Sequence, residues 1–237
     1  GWWNRLKVAD LDNDGDEDMV VGNWGLNTRF RASSSKPLTM YVKDFDNNSK
    51  TEFIINWYPP LDTVEYPFAT KMEIIQQLPY LKKTNLKYEE YGHKTYETLL
   101  PELNREGALF YKTEMLESTI LWNDNGKFSI QALPVEAQIT PVFGIAAEDF
   151  DGDGIKDIWL GGNFFGLKPQ LGRYNSSKGI YLKGLGNREF GYLNPRQSGI
   201  WVEGEVRDAK VVSMNGSKII LIARNDASVQ AFARYKK

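Results

Sequence analysis

Short runs of apolar and β-branched residues, separated by turn-forming residues, recur along most of the chain. Met19-Val20-Val21-Gly22, Phe53-Ile54-Ile55-Asn56-Trp57 and Ile158-Trp159-Leu160-Gly161 each read as a strand. Other runs pair into hairpins. Ile120-Leu121-Trp122 and Phe128-Ser129-Ile130 flank Asn123-Asp124-Asn125-Gly126-Lys127, and Gly179-Ile180-Tyr181-Leu182 and Phe190-Gly191-Tyr192-Leu193 flank Gly184-Leu185-Gly186-Asn187. Ala209–Ser213 and Ile219–Ala223 flank Asn215-Gly216, a dipeptide suited to the left-handed residues of a tight hairpin. One region departs from this pattern. From about Ala69 to Leu103, Met72, Ile75 and Leu78 recur every third residue. Tyr88, Tyr91, Tyr96, Leu99 and Leu103 continue at mixed spacing, and Pro79 and Asn85 interrupt them. The spacing predicts two or three short helices, a small insertion at about 69–103 that covers a sheet or shapes a binding surface.

Three of the strands follow acidic loops of one design. Asp10-Leu11-Asp12-Asn13-Asp14-Gly15-Asp16-Glu17-Asp18 and Asp149-Phe150-Asp151-Gly152-Asp153-Gly154-Ile155-Lys156-Asp157 both read D-x-D-x-D-G-x-x-D. Calcium takes six to eight oxygens at about 2.3–2.6 Å. Carboxylates at positions 1, 3 and 5 converge when the backbone curls. Glycine at position 6 permits the curl, because it lacks the Cβ that penalises positive φ. Position 7 offers a backbone carbonyl and position 9 closes the site. The expected ligand sets are therefore Asp10, Asp12, Asp14, Asp16 and Asp18, and Asp149, Asp151, Asp153, Ile155 and Asp157. An EF-hand shares the first six positions but closes with Glu at position 12. Here position 12 is Val21 or Leu160, within a strand.

A weaker copy is Asp44-Phe45-Asp46-Asn47-Asn48-Ser49-Lys50-Thr51-Glu52. It puts Asp44, Asp46, Asn48 and Glu52 at positions 1, 3, 5 and 9, with Ser49 in place of glycine and Lys50 at position 7. Two calcium sites are expected, with the 44–52 loop as a candidate third. The alternative is a set of plain solvated turns, since Asp, Asn and Gly dominate turns. Repulsion among four or five carboxylates disfavours such a turn without a cation.

Composition narrows the function. The 237 residues suffice for one good-sized core or a small two-domain unit. Net charge is −2 and no basic stripe occurs, which argues against a nucleic-acid partner. The absence of cysteine excludes disulfides, thiolate catalysis and cysteine–zinc sites. The single histidine, His93, is expected to be exposed and not a catalytic base. No apolar stretch is long enough to span a membrane. No signal peptide is visible, and Gly1-Trp2-Trp3-Asn4 reads as a start within a fold, so a piece of a longer protein is expected. The seven tryptophans are expected mostly to pack against sheets.

Asp10 to Gly22 and Phe143-Gly144 through Gly162 resemble the FG-GAP, or VCBS, repeat, with Phe143-Gly144-Ile145-Ala146-Ala147-Glu148 matching its "FG" strand. Gly161-Gly162-Asn163 stands where the "GAP" half would be and is altered. Pro134, Ala137-Gln138, Arg173-Tyr174-Asn175, Gly179 and Leu221-Ile222-Ala223-Arg224-Asn225-Asp226 are similar to bacterial propellers of the ASPIC/UnbV-associated type. The resemblance implies an all-β fold, a β-propeller of integrin α-like kind, with residues 1–237 forming about four blades, either the C-terminal half of a larger, seven-bladed type or an unusual closed small propeller. It implies calcium at the loop residues and no catalytic residues. A fragment would leave an edge strand free to pair with another copy.

The expected function is a non-enzymatic calcium-binding module, outside the cytoplasm, that binds protein or carbohydrate on its propeller faces. A structural role within a larger surface protein is the alternative. A polysaccharide lyase or hydrolase is a third reading. It would need a carboxylate pair, and Glu148, Glu203, Glu205 and Asp208 offer no diagnostic arrangement.

Overall fold

The computed structural model describes residues 1–168, 172–214 and 216–233. They are mostly β, in four antiparallel sheets. The first sheet opens with β1 (Arg5–Ala9) and β2 (Asp18–Gly22). The chain then leaves it to build β3 (Leu38–Lys43), β4 (Glu52–Trp57), β5 (Tyr66–Pro67), a helical segment and β6 (Leu109–Thr113). It returns with β7 (Thr119–Asp124), paired to β2, and β8 (Lys127–Ala132), giving the order β1-β2-β7-β8. The sheets are thus not consecutive repeats. The one carrying the 44–52 loop is inserted in sequence between β2 and β7, which themselves pair directly. This explains why Asp44 follows Asp10 so closely. The inserted sheet has the order β5-β4-β3-β6, so its last strand adds beside its first.

Two compact units result. One spans Arg29–Met115, with Gly1, and the other Trp2–Thr28 with Leu116–Lys237. The second unit also holds β9 (Val142–Glu148), β10 (Asp157–Gly162), β11 (Ile180–Gly186) and β12 (Glu189–Leu193), a simple four-stranded meander. Its last sheet is β13 (Val206–Met214), β14 (Ser217–Arg224) and β15 (Ala227–Ala233), three strands among the described residues. Asn215 of the expected Asn215-Gly216 turn lies outside the described residues, although β13 and β14 on either side of it pair as expected.

The period-2 geometry of strands explains the core of this unit. Ile145, Ala147, Ile158, Leu160, Ile180 and Leu182 join a buried cluster with Val20, Ile120 and Trp122 of the first sheet. The alternate residues Ala146, Trp159 and Tyr181 join Val206, Ala209, Ile220 and Ile222 of the last sheet. The middle sheet is therefore apolar on both faces, and every residue of β10 is buried. Close packing also sets its glycines. A Cβ on Gly162 would stand 1.7 Å from the Pro141 carbonyl oxygen, so no larger residue fits.

In the Arg29–Met115 unit, α1 (Lys71–Gln77), α2 (Tyr88–Gly92), α3 (Tyr96–Leu99) and α4 (Glu102–Arg105) follow β5. Thr70 and Glu73 start α1 with a reciprocal capping box. The inward stripe is Ile74, Leu78 and Leu81, packed with Phe45, Ile54, Tyr96, Leu99 and Leu100. Met72, Tyr88 and Leu103, part of the stripe expected from sequence, are exposed. Ile74 and Leu78 lie four apart, one turn of α-helix, whereas a strict spacing of three drifts around the helix.

Among the described residues no helix is long and apolar enough to cross a membrane, which says nothing of β-barrel spans.

Candidate metal centres

Strand register brings the ends of each acidic loop together. Ala9 pairs with Asp18, Lys43 with Glu52 and Glu148 with Asp157, so position 1 follows directly the residue that faces position 9. Carboxylates at positions 1, 3 and 9 then meet. Asp10, Asp12 and Asp18 have oxygens within 4.8 Å of one another, as do Asp44, Asp46 and Glu52, and Asp149, Asp151 and Asp157. These three groups could each hold a metal ion. The carboxylates of Asp14, Asp16 and Asp153 are not members of these three groups, and Asn48, Lys50 and Ile155 carry no carboxylate and would offer an amide or backbone oxygen.

One backbone template builds all three loops. Positions 4 and 6 have positive φ in each: Asn13 and Gly15, Asn47 and Ser49, Gly152 and Gly154. Ser49 at φ 67° adopts the conformation that glycine holds elsewhere, so the weaker loop keeps the shape. The position-6 N–H donates to the position-1 carboxylate: Gly15 to Asp10 at 3.2 Å, Ser49 to Asp44 at 2.8 Å and Gly154 to Asp149 at 3.0 Å. The position-7 N–H donates to the position-5 side chain, from Asp16 to Asp14, Lys50 to Asn48 and Ile155 to Asp153. Asp14, Asn48 and Asp153 thus each spend an oxygen inside the turn.

The closing residue does the most structural work. Asp18 and Asp157 are fully buried and Glu52 nearly so. Each accepts the N–H of position 2, from Leu11 at 2.9 Å, Phe45 at 3.0 Å and Phe150 at 3.2 Å. Asp18 also accepts from the Asn123 N–H of β7, and Asp157 from the Gly184 N–H of β11, both at 2.9 Å. The Tyr181 hydroxyl donates to Asp157 at 2.6 Å. Burial pushes the Asp18 and Asp157 carboxyls up from the ordinary range, and these donors pull part of the way back.

Position 2 was not singled out from sequence, yet Leu11 and Phe45 are buried anchors. The signal was present as the apolar residue inside each D-x-D.

Two side chains with no sequence signal bring positive charge to the loops. Lys183 on β11 pairs with Asp151, and with Asp153 at 2.8 Å. Arg188 in the β11–β12 turn pairs with Asp12 at 2.7 Å and Asp124 at 2.5 Å. Hydrogen bonds from these cations hold Asp153 and Asp124 below the usual carboxylate range. Lys183→Met removes a unit charge beside the 149–157 group. It is expected to raise calcium affinity there about tenfold at low salt, and less at high salt, by calorimetric titration.

The fit to a cation rests on atoms left unpartnered. Asp10 Oδ1 and Asp46 Oδ1 are buried and accept no hydrogen bond, although buried polar atoms are nearly always paired. An oxygen-seeking cation is the partner such atoms lack.

The residues weighed for other chemistry are otherwise committed. Glu148 pairs with Lys218, Glu203 with Lys178, Glu205 with Arg207 and Asp208 with Arg5. His93 is exposed at the end of α2. Trp24, Trp122 and Trp159 are buried, whereas Trp3 and Trp201 are about half exposed. An open cavity beside the 44–52 loop is lined by Asp46, Asn48, Lys50, Glu52, Gln76 and Gln77, the two glutamines coming from α1.

Comparison of the chain with known protein families and with curated protein sequences finds no match.

Proposed function

We propose that this chain is a calcium-clamped, non-enzymatic binding module, built as part of a β-propeller of the FG-GAP/VCBS kind. The observation that carries the metal reading is the repeated template. Three loops place positions 1, 3 and 9 together on one backbone path, and two of them bury an unpartnered carboxylate oxygen. The propeller reading is supported by the sheet of β9–β12 packing one face on the first sheet's residues and the other on the last sheet's.

Asp10, Asp12 and Asp18, Asp149, Asp151 and Asp157, and Asp44, Asp46 and Glu52 would hold the ions. Bound calcium would supply positive charge that neutralises the converging carboxylates and fixes each strand-to-strand turn. The paired state of Glu148, Glu203, Glu205 and Asp208 supports a binding role over hydrolysis. We place the module outside the cytoplasm, where millimolar calcium matches sites of about 10⁻⁴–10⁻³ M affinity. Protein or glycan ligands would dock on the propeller faces.

Mass action at those affinities and about 1 mM calcium contributes about 0.4–1.4 kcal/mol per site. Thermal unfolding in millimolar calcium is expected to occur several degrees above that in chelator, with Asp151→Ala reducing the gain. An unfolding temperature that ignores calcium, in protein shown metal-free by elemental analysis, would overturn the reading.

A further inference from the structure

The 10–18 and 149–157 loops touch. The Asn13 side-chain amide donates to the Gly154 carbonyl at 2.9 Å. Asn13 is position 4 of the first loop, between Asp12 and Asp14. Gly154 is position 6 of the second, and its own N–H holds the Asp149 carboxylate at 3.0 Å. One hydrogen bond therefore joins the turn that carries Asp12 to the residue that positions Asp149.

A second strut runs the other way. Arg188 belongs to the β11–β12 turn of the middle sheet, but its Nε donates to Asp12 in the first acidic loop at 2.7 Å and its Nη atoms to Asp124 at the end of β7 at 2.5 and 3.2 Å. Its guanidinium lies 4.9 Å from the Trp122 ring centre. Asn187 and Arg188 form a two-residue hairpin turn with φ of 52° and 64°. Such turns favour Asn-Gly. Arginine at the second position keeps an unfavourable backbone conformation and places its cation against Asp12.

We infer that the two loops are thermodynamically linked, so that calcium held by one strengthens calcium binding by the other. This rests on the metal reading above. An ion fixes the turn at positions 4 to 6 of its own loop. Because Asn13 meets Gly154 only when both turns hold their described shape, ordering one turn removes part of the ordering cost of the other. Linkage makes the effect reciprocal. Arg188 keeps the first loop's carboxylates registered against the middle sheet while this happens.

The test is calcium titration of the whole chain by calorimetry, with Asp46→Ala throughout to silence the 44–52 loop. Affinity at 10–18 is compared with the 149–157 loop intact and disabled by Asp151→Ala. Disabling it is expected to weaken 10–18 about fivefold. Asn13→Gly deletes the amide while keeping a residue suited to positive φ, as Gly152 is at the same position of the other loop. In the Asn13→Gly protein the Asp151→Ala change is expected to leave 10–18 unaffected. Equal affinity at 10–18 with and without Asp151 would overturn the linkage, and a fivefold loss that persists in Asn13→Gly would overturn its transmission through the Asn13–Gly154 bond, while calcium binding itself stands in both cases. A parent that takes up no calcium would instead overturn the metal reading beneath it.

Discussion

Asp157→Ala is expected to lower stability by about 3 kcal/mol even in chelator. The carboxylate is fully buried and accepts the Phe150 and Gly184 N–H groups and the Tyr181 hydroxyl. Alanine leaves those donors unsatisfied, while relief of the carboxylate's own burial offsets part of the loss. For a chain of this size the change amounts to about 6–12 °C in unfolding temperature. Asp151 is a partly exposed member of the same group, paired with Lys183. Asp151→Ala is expected to be nearly neutral in chelator and to lose only the calcium-dependent gain. Melting both variants with and without calcium separates the two roles. Equal losses for both in chelator would refute the division between a structural closing residue and a metal-facing one.

Gly184→Val is expected to cost about 2–3 kcal/mol and to weaken metal binding at 149–157 at least tenfold, leaving the 10–18 loop able to bind. A Cβ at Gly184 would stand 2.4 Å from the Lys156 carbonyl oxygen and 2.6 Å from Ile155 Cγ2. The strand β11 therefore lies directly on the backbone of the acidic loop, and a side chain there must push the two apart. That displacement also strains the Gly184 N–H bond to Asp157. Terbium luminescence and thermal unfolding of this variant would check both effects. A normal melt with full terbium binding would show that the close approach does not support the site.

The loops were legible from sequence because their determinants are local. Within nine residues, Asp10, Asp12 and Asp18 supply the carboxylates, while Asn13 and Gly15 supply the left-handed turns. The Ser49 exception shows the limit of that reading. Serine at position 6 looks like a defect in sequence, yet it takes the same positive φ because the surrounding bonds to Asp44 and Glu52 impose the turn. The position-7 N–H donates to one side-chain oxygen of position 5, from Asp16 to Asp14 and from Ile155 to Asp153, and this bond within the loop holds the turn closed.

The sequence by itself determined the most apolar strands, such as β2, β4 and β10, and the three acidic turns, since each depends on contacts within a few residues, whereas β3, β6 and β15 carry no comparable local signal. Only the tertiary structure decided which strands share a sheet. Val20 pairs with Ile120 across the whole Arg29–Met115 unit, and no local pattern records a pairing at that separation. The same is true of the partners that complete each site. Asn123 reaches Asp18 across 105 positions and Arg188 reaches Asp12 across 176. A carboxylate's chemistry is written in its residue type. The donors and cations that surround it are chosen by how the sheets stack, where burial of Ile158 and Trp159 on opposite faces fixes the register that brings them together.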